Sequence, residues 1–119
     1  MTVRRFSVVL AVVAAAIGIT ASSVLGASNA TQATVVNVKA FDLGFKLSTK
    51  KVKHGKVTFK VTNTGSLMHD FQINGKKTKL LAKGKSATLT VTLSKGKYAY
   101  KCTVAGHAAG GMKGTVTAT

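Results

Sequence analysis

The chain is 119 residues long, with 18 lysines and arginines against two acids and a single cysteine. Such a length has room for one compact domain, and a lone cysteine excludes an internal disulfide within it. The formal charge of +16 points to anionic partners, but nucleic acid is not the expected one, because beyond Arg4 and Arg5 there is no arginine fork and no base-stacking aromatic cluster.

The N-terminus reads apart from the rest. Arg4 and Arg5 precede an uncharged, apolar run from Phe6 to Ile19, and Ser28-Asn29-Ala30 supplies small residues where a signal peptidase cuts. A signal peptide is therefore expected over 1–30, with the mature chain starting at Thr31. A retained anchor is the rival, but a spanning helix needs about 20 apolar residues and this run is shorter. The paired arginines leave the general secretory and twin-arginine routes both open. The expected destination is the periplasm or another extracytoplasmic space. Residues 31–119 are then one compact domain, carrying 16 lysines against Asp42 and Asp70. That lysine surface serves solubility, or steers an acidic protein partner, an anionic membrane or a wall polymer.

Along the domain, apolar residues alternate with polar ones in short runs rich in Val, Thr, Phe and Tyr, a strand pattern. Val36, Val38 and Ala40 form the first run, and Phe45 and Leu47 flank Lys46 after Gly44. Val57, Phe59 and Val61 form the next, closed by the turn residues Asn63-Thr64-Gly65. His69 to Ile73 predicts another strand, ended by Asn74-Gly75, a strong hairpin signal. Ala87, Leu89, Val91 and Leu93 alternate with threonines. Lys95-Gly96 then turns into the run from Lys97 to Cys102, and the last strand is expected from about Lys113 to Thr117. Phe41, Phe45, Phe59 and Phe71 are assigned to the core, with Tyr98 and Tyr100 on one face of their strand. The predicted fold is all-β, an antiparallel Greek-key sandwich or small barrel of seven or eight strands.

Cys102 needs a chemical explanation, since a free thiol in an oxidising compartment invites intermolecular pairing. Its surroundings supply one. Between the last two strands, Cys102, His107 and Met112 place a thiol, an imidazole and a thioether at five-residue steps, in a loop of small residues able to turn tightly. His69 offers a second imidazole from an earlier strand. One thiolate, two imidazoles and a weak thioether suit copper cycling between two oxidation states. A scaffold that holds these donors still lowers the reorganisation needed when an electron arrives. Met68 is expected at the surface or in packing, and His54, among lysines in a turn, is given no ligand role.

These residues resemble the small blue-copper proteins of the plastocyanin and azurin group, the cupredoxins. The resemblance spans 35–119 and rests on the Asn63-x-Gly65 turn before His69, the Cys102-x4-His107-x4-Met112 loop and the following Lys113-Gly114. The loop spacing is similar to that of auracyanin-type members. The resemblance implies one copper ion, with His69, Cys102 and His107 as equatorial ligands and Met112 as the axial one. It implies a monomeric one-electron carrier that meets its redox protein partner through the loop around His107, where Ala105, Gly106, Ala108 and Ala109 make an apolar patch. Many members carry Asn after the first histidine, bonded across to a hydroxyl residue of the loop. Here Asp70 faces that role, with Thr103 as its partner. The basic surface departs from the acidic patch of plant plastocyanins, so an acidic docking partner is expected.

An enzyme is not expected. A second copper centre would need further histidines where only His54 remains, and a two-copper centre would need another cysteine. The remaining alternative is delivery or buffering of copper by the same four donors.

Overall fold

The computed structural model describes residues 33–119; the expected signal peptide over 1–30 lies outside the described residues. Nine strands follow one another: β1 (Thr34–Phe41), β2 (Gly44–Leu47), β3 (Lys51–Val52), β4 (Gly55–Asn63), β5 (Gln72–Ile73), β6 (Lys76–Lys77), β7 (Ser86–Leu93), β8 (Gly96–Lys101) and β9 (Lys113–Ala118). They form a four-stranded sheet, ordered β2-β1-β4-β7, and a five-stranded sheet, ordered β3-β9-β8-β5-β6. No helix occurs among the described residues.

The alternation read from the sequence sets the two faces of the first sheet. Val36 and Val38, Val57 to Val61 at every second position, then Val91 and Leu93 are buried, and the intervening Lys, Thr and Asn side chains face water. Ile73, Tyr100, Val116 and Ala118 of the second sheet close over them. Phe71 sits at the centre, 5.2 Å from Phe59, 5.4 Å from Phe45 and 5.5 Å from Tyr100 between ring centroids. Each such side chain taken fully out of water contributes about 1.5–3 kcal/mol. Tyr98 is half-buried, with its hydroxyl donating to the Ser94 carbonyl at 2.8 Å.

Three expectations change. The sandwich is mixed rather than antiparallel, because β1 runs parallel to β4 and β3 parallel to β9. Between β1 and β4 the chain visits β3 in the other sheet, which supplies the crossover a parallel pair needs. The strand count exceeds seven or eight because β3, β5 and β6 are two-residue pairings. The strand expected over His69 to Ile73 shortens to β5, and His69 instead makes an isolated bridge to Leu81.

Phe41 is also not core. It is 44% exposed, since it follows Ala40 in β1 and the pleat turns it outward, where its ring covers Gly44. Phe45, Phe59 and Phe71 do belong to the core or pack against it. Asn74 and Gly75 both adopt positive φ, at 50° and 74°, the backbone a tight two-residue hairpin requires.

Candidate metal centre

The end of β1, the end of β8 and the start of β9 meet at one end of the sandwich. There Ala40, Cys102 and Met112 form a small buried cluster, with Phe45 and Val104 packed against it. Cys102 and Met112 flank a loop closed at its base by the Cys102 N–H donating to the Met112 carbonyl at 3.0 Å. Inside it, the His107 N–H donates to Val104 and the Met112 N–H to the His107 carbonyl, both at 3.0 Å. This winding brings the thiol and the imidazole together, with Met112 buried in the same cluster as Cys102. Gly111 is needed for it: φ is 123°, and a Cβ there would come within 3.1 Å of the Leu43 carbonyl.

His69 arrives from the β4–β5 connection, which buried Asn63 organises. The Asn63 amide donates to the carbonyls of Leu67 at 2.8 Å and Leu81 at 2.7 Å, and its side-chain oxygen accepts the Gly65 N–H at 2.9 Å. Reciprocal backbone bonds between His69 and Leu81 then fix the histidine, which is fully buried.

His69 Nδ1 lies 3.1 Å from His107 Nδ1, and Cys102 Sγ lies 3.6 Å from His107 Nδ1. One donor atom from each of the three residues falls within 4.8 Å of the others. Metal bonds of about 2.0–2.3 Å to nitrogen and sulfur set donor separations of about 3.3–3.9 Å in a trigonal plane. The three donors are therefore of a type, and near enough to the spacing, to hold a metal ion together. Met112, the fourth expected ligand, is fully buried and packs with Cys102 in the same cluster.

On balance the groups around Cys102 favour the neutral thiol. Burial pushes the Cys102 thiol up and the nearby Asp70 carboxylate adds to it, while the backbone N–H groups of Asp70 and Val104 near the sulfur pull the other way. Asp70 is buried and accepts the Thr103 N–H at 2.6 Å, while its other oxygen accepts the Thr103 hydroxyl. The carboxylate thus makes the cross-link to the loop that an amide makes in many members of the resembled group.

One participant escaped the sequence reading, where Asp42 counted only as charge. Its Oδ1 lies 3.0 Å from His69 Nε2 and accepts the Leu67 N–H, and its Oδ2 accepts the Ser66 N–H, both at 3.0 Å. These two N–H groups, with the His69 ring, hold the Asp42 carboxyl down at about 2. The only signal available in the sequence was its rarity, one of two acids among many lysines.

The rim of this end is more apolar than the loop composition suggested. His107 is half-buried among small residues, and exposed Leu43 lies against Gly110 and Gly111. Leu67 and Met68, both exposed, lead into His69. His54 is exposed and bonded to the Thr119 carbonyl through Nδ1 at 2.8 Å, outside the donor cluster.

A family model described as a cupredoxin-like domain matches residues 8–118. Among solved structures, auracyanin B matches with a TM-score of 0.66 and 26% identity over 76% of this chain and 92% of that one. Reduced auracyanin from Roseiflexus castenholzii matches at 0.64 and 23% identity, over 75% of this chain and 99% of that one. An azurin from Methylomonas sp. strain J gives 0.59 and 16%, over 74% and 99%. A multicopper oxidase shares the fold at 0.58 and 17% identity, but this chain spans 41% of it. No curated protein sequence matches this chain.

Proposed function

Because the chain belongs to the cupredoxin-like family, we propose that it is a type 1 copper protein carrying one electron at a time between redox partners of an extracytoplasmic space. The convergence of two Nδ1 atoms and one Sγ at the closed end of a β-sandwich is the observation that carries this reading. His69, Cys102 and His107 would hold the ion, with Met112 as a weaker fourth donor. Copper so held supplies a reversible one-electron couple.

The residues of the chain do the rest. Hydrogen bonds through Asn63, Asp70 and the loop backbone keep the donors from moving as charge changes, so little reorganisation accompanies transfer. Donation to the Cys102 sulfur from the Asp70 and Val104 N–H groups stabilises the thiolate. With Nδ1 turned inward, the opposite edge of half-buried His107 is the route to a partner. Leu43 and the loop alanines around it favour small, brief contacts of the kind electron-transfer proteins use. Lys101 and Lys113 directly face one another at the base of the loop and would draw an acidic partner toward it, in a salt-dependent way. Deep burial of Cys102 and Met112 favours this reading over copper delivery, which needs donors a receiving protein can reach.

The test is spectroscopic. Copper added to the protein from Thr31 onward should give an intense blue charge-transfer band that bleaches on reduction and returns on oxidation. Cys102→Ser should abolish the band. A colourless, readily exchanged complex would instead support delivery or buffering.

A further inference from the structure

Asp42 is unusually well fixed for a half-exposed acid. Two backbone N–H groups on the tip of the β4–β5 connection, those of Ser66 and Leu67, orient its carboxylate, and the third contact runs to a histidine with no exposed surface. Room for it depends on Gly65, where a Cβ would overlap Oδ1 and crowd the Asp42 backbone N–H at 2.8 Å. Of the two acids in the chain, Asp70 is taken up by Thr103, so Asp42 alone places a negative charge against an imidazole of the cluster.

We propose that Asp42 is a positioning residue that fixes His69 as the Nε2–H tautomer, with the Nδ1 lone pair aimed at the donor cluster, and that its charge favours the oxidised over the reduced copper ion. The inference rests on the copper reading for its second half only. A carboxylate can only accept, so the proton of a neutral His69 ring must lie on Nε2, leaving Nδ1 as the free donor beside Cys102 and His107. Negative charge on the far side of the ring raises the basicity of Nδ1. It also stabilises the more positive of the two metal charges. Held by Asp42, the ring would keep its Nε2 proton in either charge state of a bound ion, so His69 would couple no proton to the electron.

Two measurements test this. In the wild-type protein without metal, long-range 15N–1H correlations of the His69 ring should show protonated Nε2 and unprotonated Nδ1; the opposite tautomer would overturn the positioning role, whatever metal the protein binds. In the copper-loaded protein, Asp42→Asn keeps an oxygen acceptor but removes the charge. The copper(II) dissociation constant should rise about 10- to 100-fold, with a smaller change for copper(I), so that the reduction potential measured against hexacyanoferrate rises. Equal weakening of both oxidation states would overturn the charge role. Failure of the wild-type protein itself to turn blue would count against the copper reading, not against the tautomer.

Discussion

Between the sheets, Val36, Val57, Phe59, Phe71 and Val116 are buried in one hydrophobic cluster, whereas Asn63, His69 and Asp70 are buried polar groups of the segments that build the site with Cys102. The first region is held by area and shape, which many side-chain combinations satisfy. The second is held by directed hydrogen bonds, each with a named donor and acceptor, and no buried side-chain nitrogen or oxygen among the described residues lacks a partner. The difference teaches where substitution should harm the fold and where it should harm the site. Truncating an interior ring opens a cavity that weakens everything at once. Removing a buried amide leaves orphaned polar groups and moves one histidine.

The sharpest way to break the contrast is Phe71→Ala. Phe71 touches aromatic rings from both sheets, so its loss should lower unfolding free energy by about 3–5 kcal/mol in urea titrations of the metal-free protein. For a domain of this size that approaches the whole stability, and copper binding should fall with it.

Asn63→Ala comes next. It deletes three hydrogen bonds and leaves the buried Gly65 N–H without its acceptor, so a loss of about 2–3 kcal/mol is expected in the same titration. Unlike the Phe71 variant, it should weaken copper binding even at temperatures where the protein stays folded, because the connection that carries His69 loses the amide that organises it. Equal effects of both variants on stability and on folded-state affinity would erase the distinction between the two regions.

The smallest effect concerns acid. The Asp42 carboxyl is lowered in the folded state from 3.8 to about 2 by the Leu67 and Ser66 N–H groups and by His69. Its contribution to stability is therefore complete above the ordinary carboxyl value and lost as pH falls from about 4 toward 2. Metal-free Asp42→Asn should lack that part of the acid dependence, giving a flatter stability profile across this window. An identical slope in the two proteins would remove Asp42 from the account of acid stability.

Much of this was legible from local pattern. Period-two alternation assigned Val36, Val38, Val57, Phe59 and Val61 to one face, because a pleat leaves a strand no other choice. Asn74-Gly75 marked its hairpin because both positions need positive φ. Cys102, His107 and Met112 stood close enough in the chain for a loop to gather them. Phe41 was misread because its residue type was weighed above its place in the same alternation.

What the sequence determined, then, was the faces of the strands and the all-β class, since these depend on neighbours within a few residues. Tertiary structure alone decided that β1 runs parallel beside β4, that the His69 strand shrinks to a bridge with Leu81, and that Asp42 reaches His69 across 27 positions of chain. Alternation says which way a side chain points but not which strand lies alongside. A hydrogen bond between distant residues forms only after that pairing is chosen.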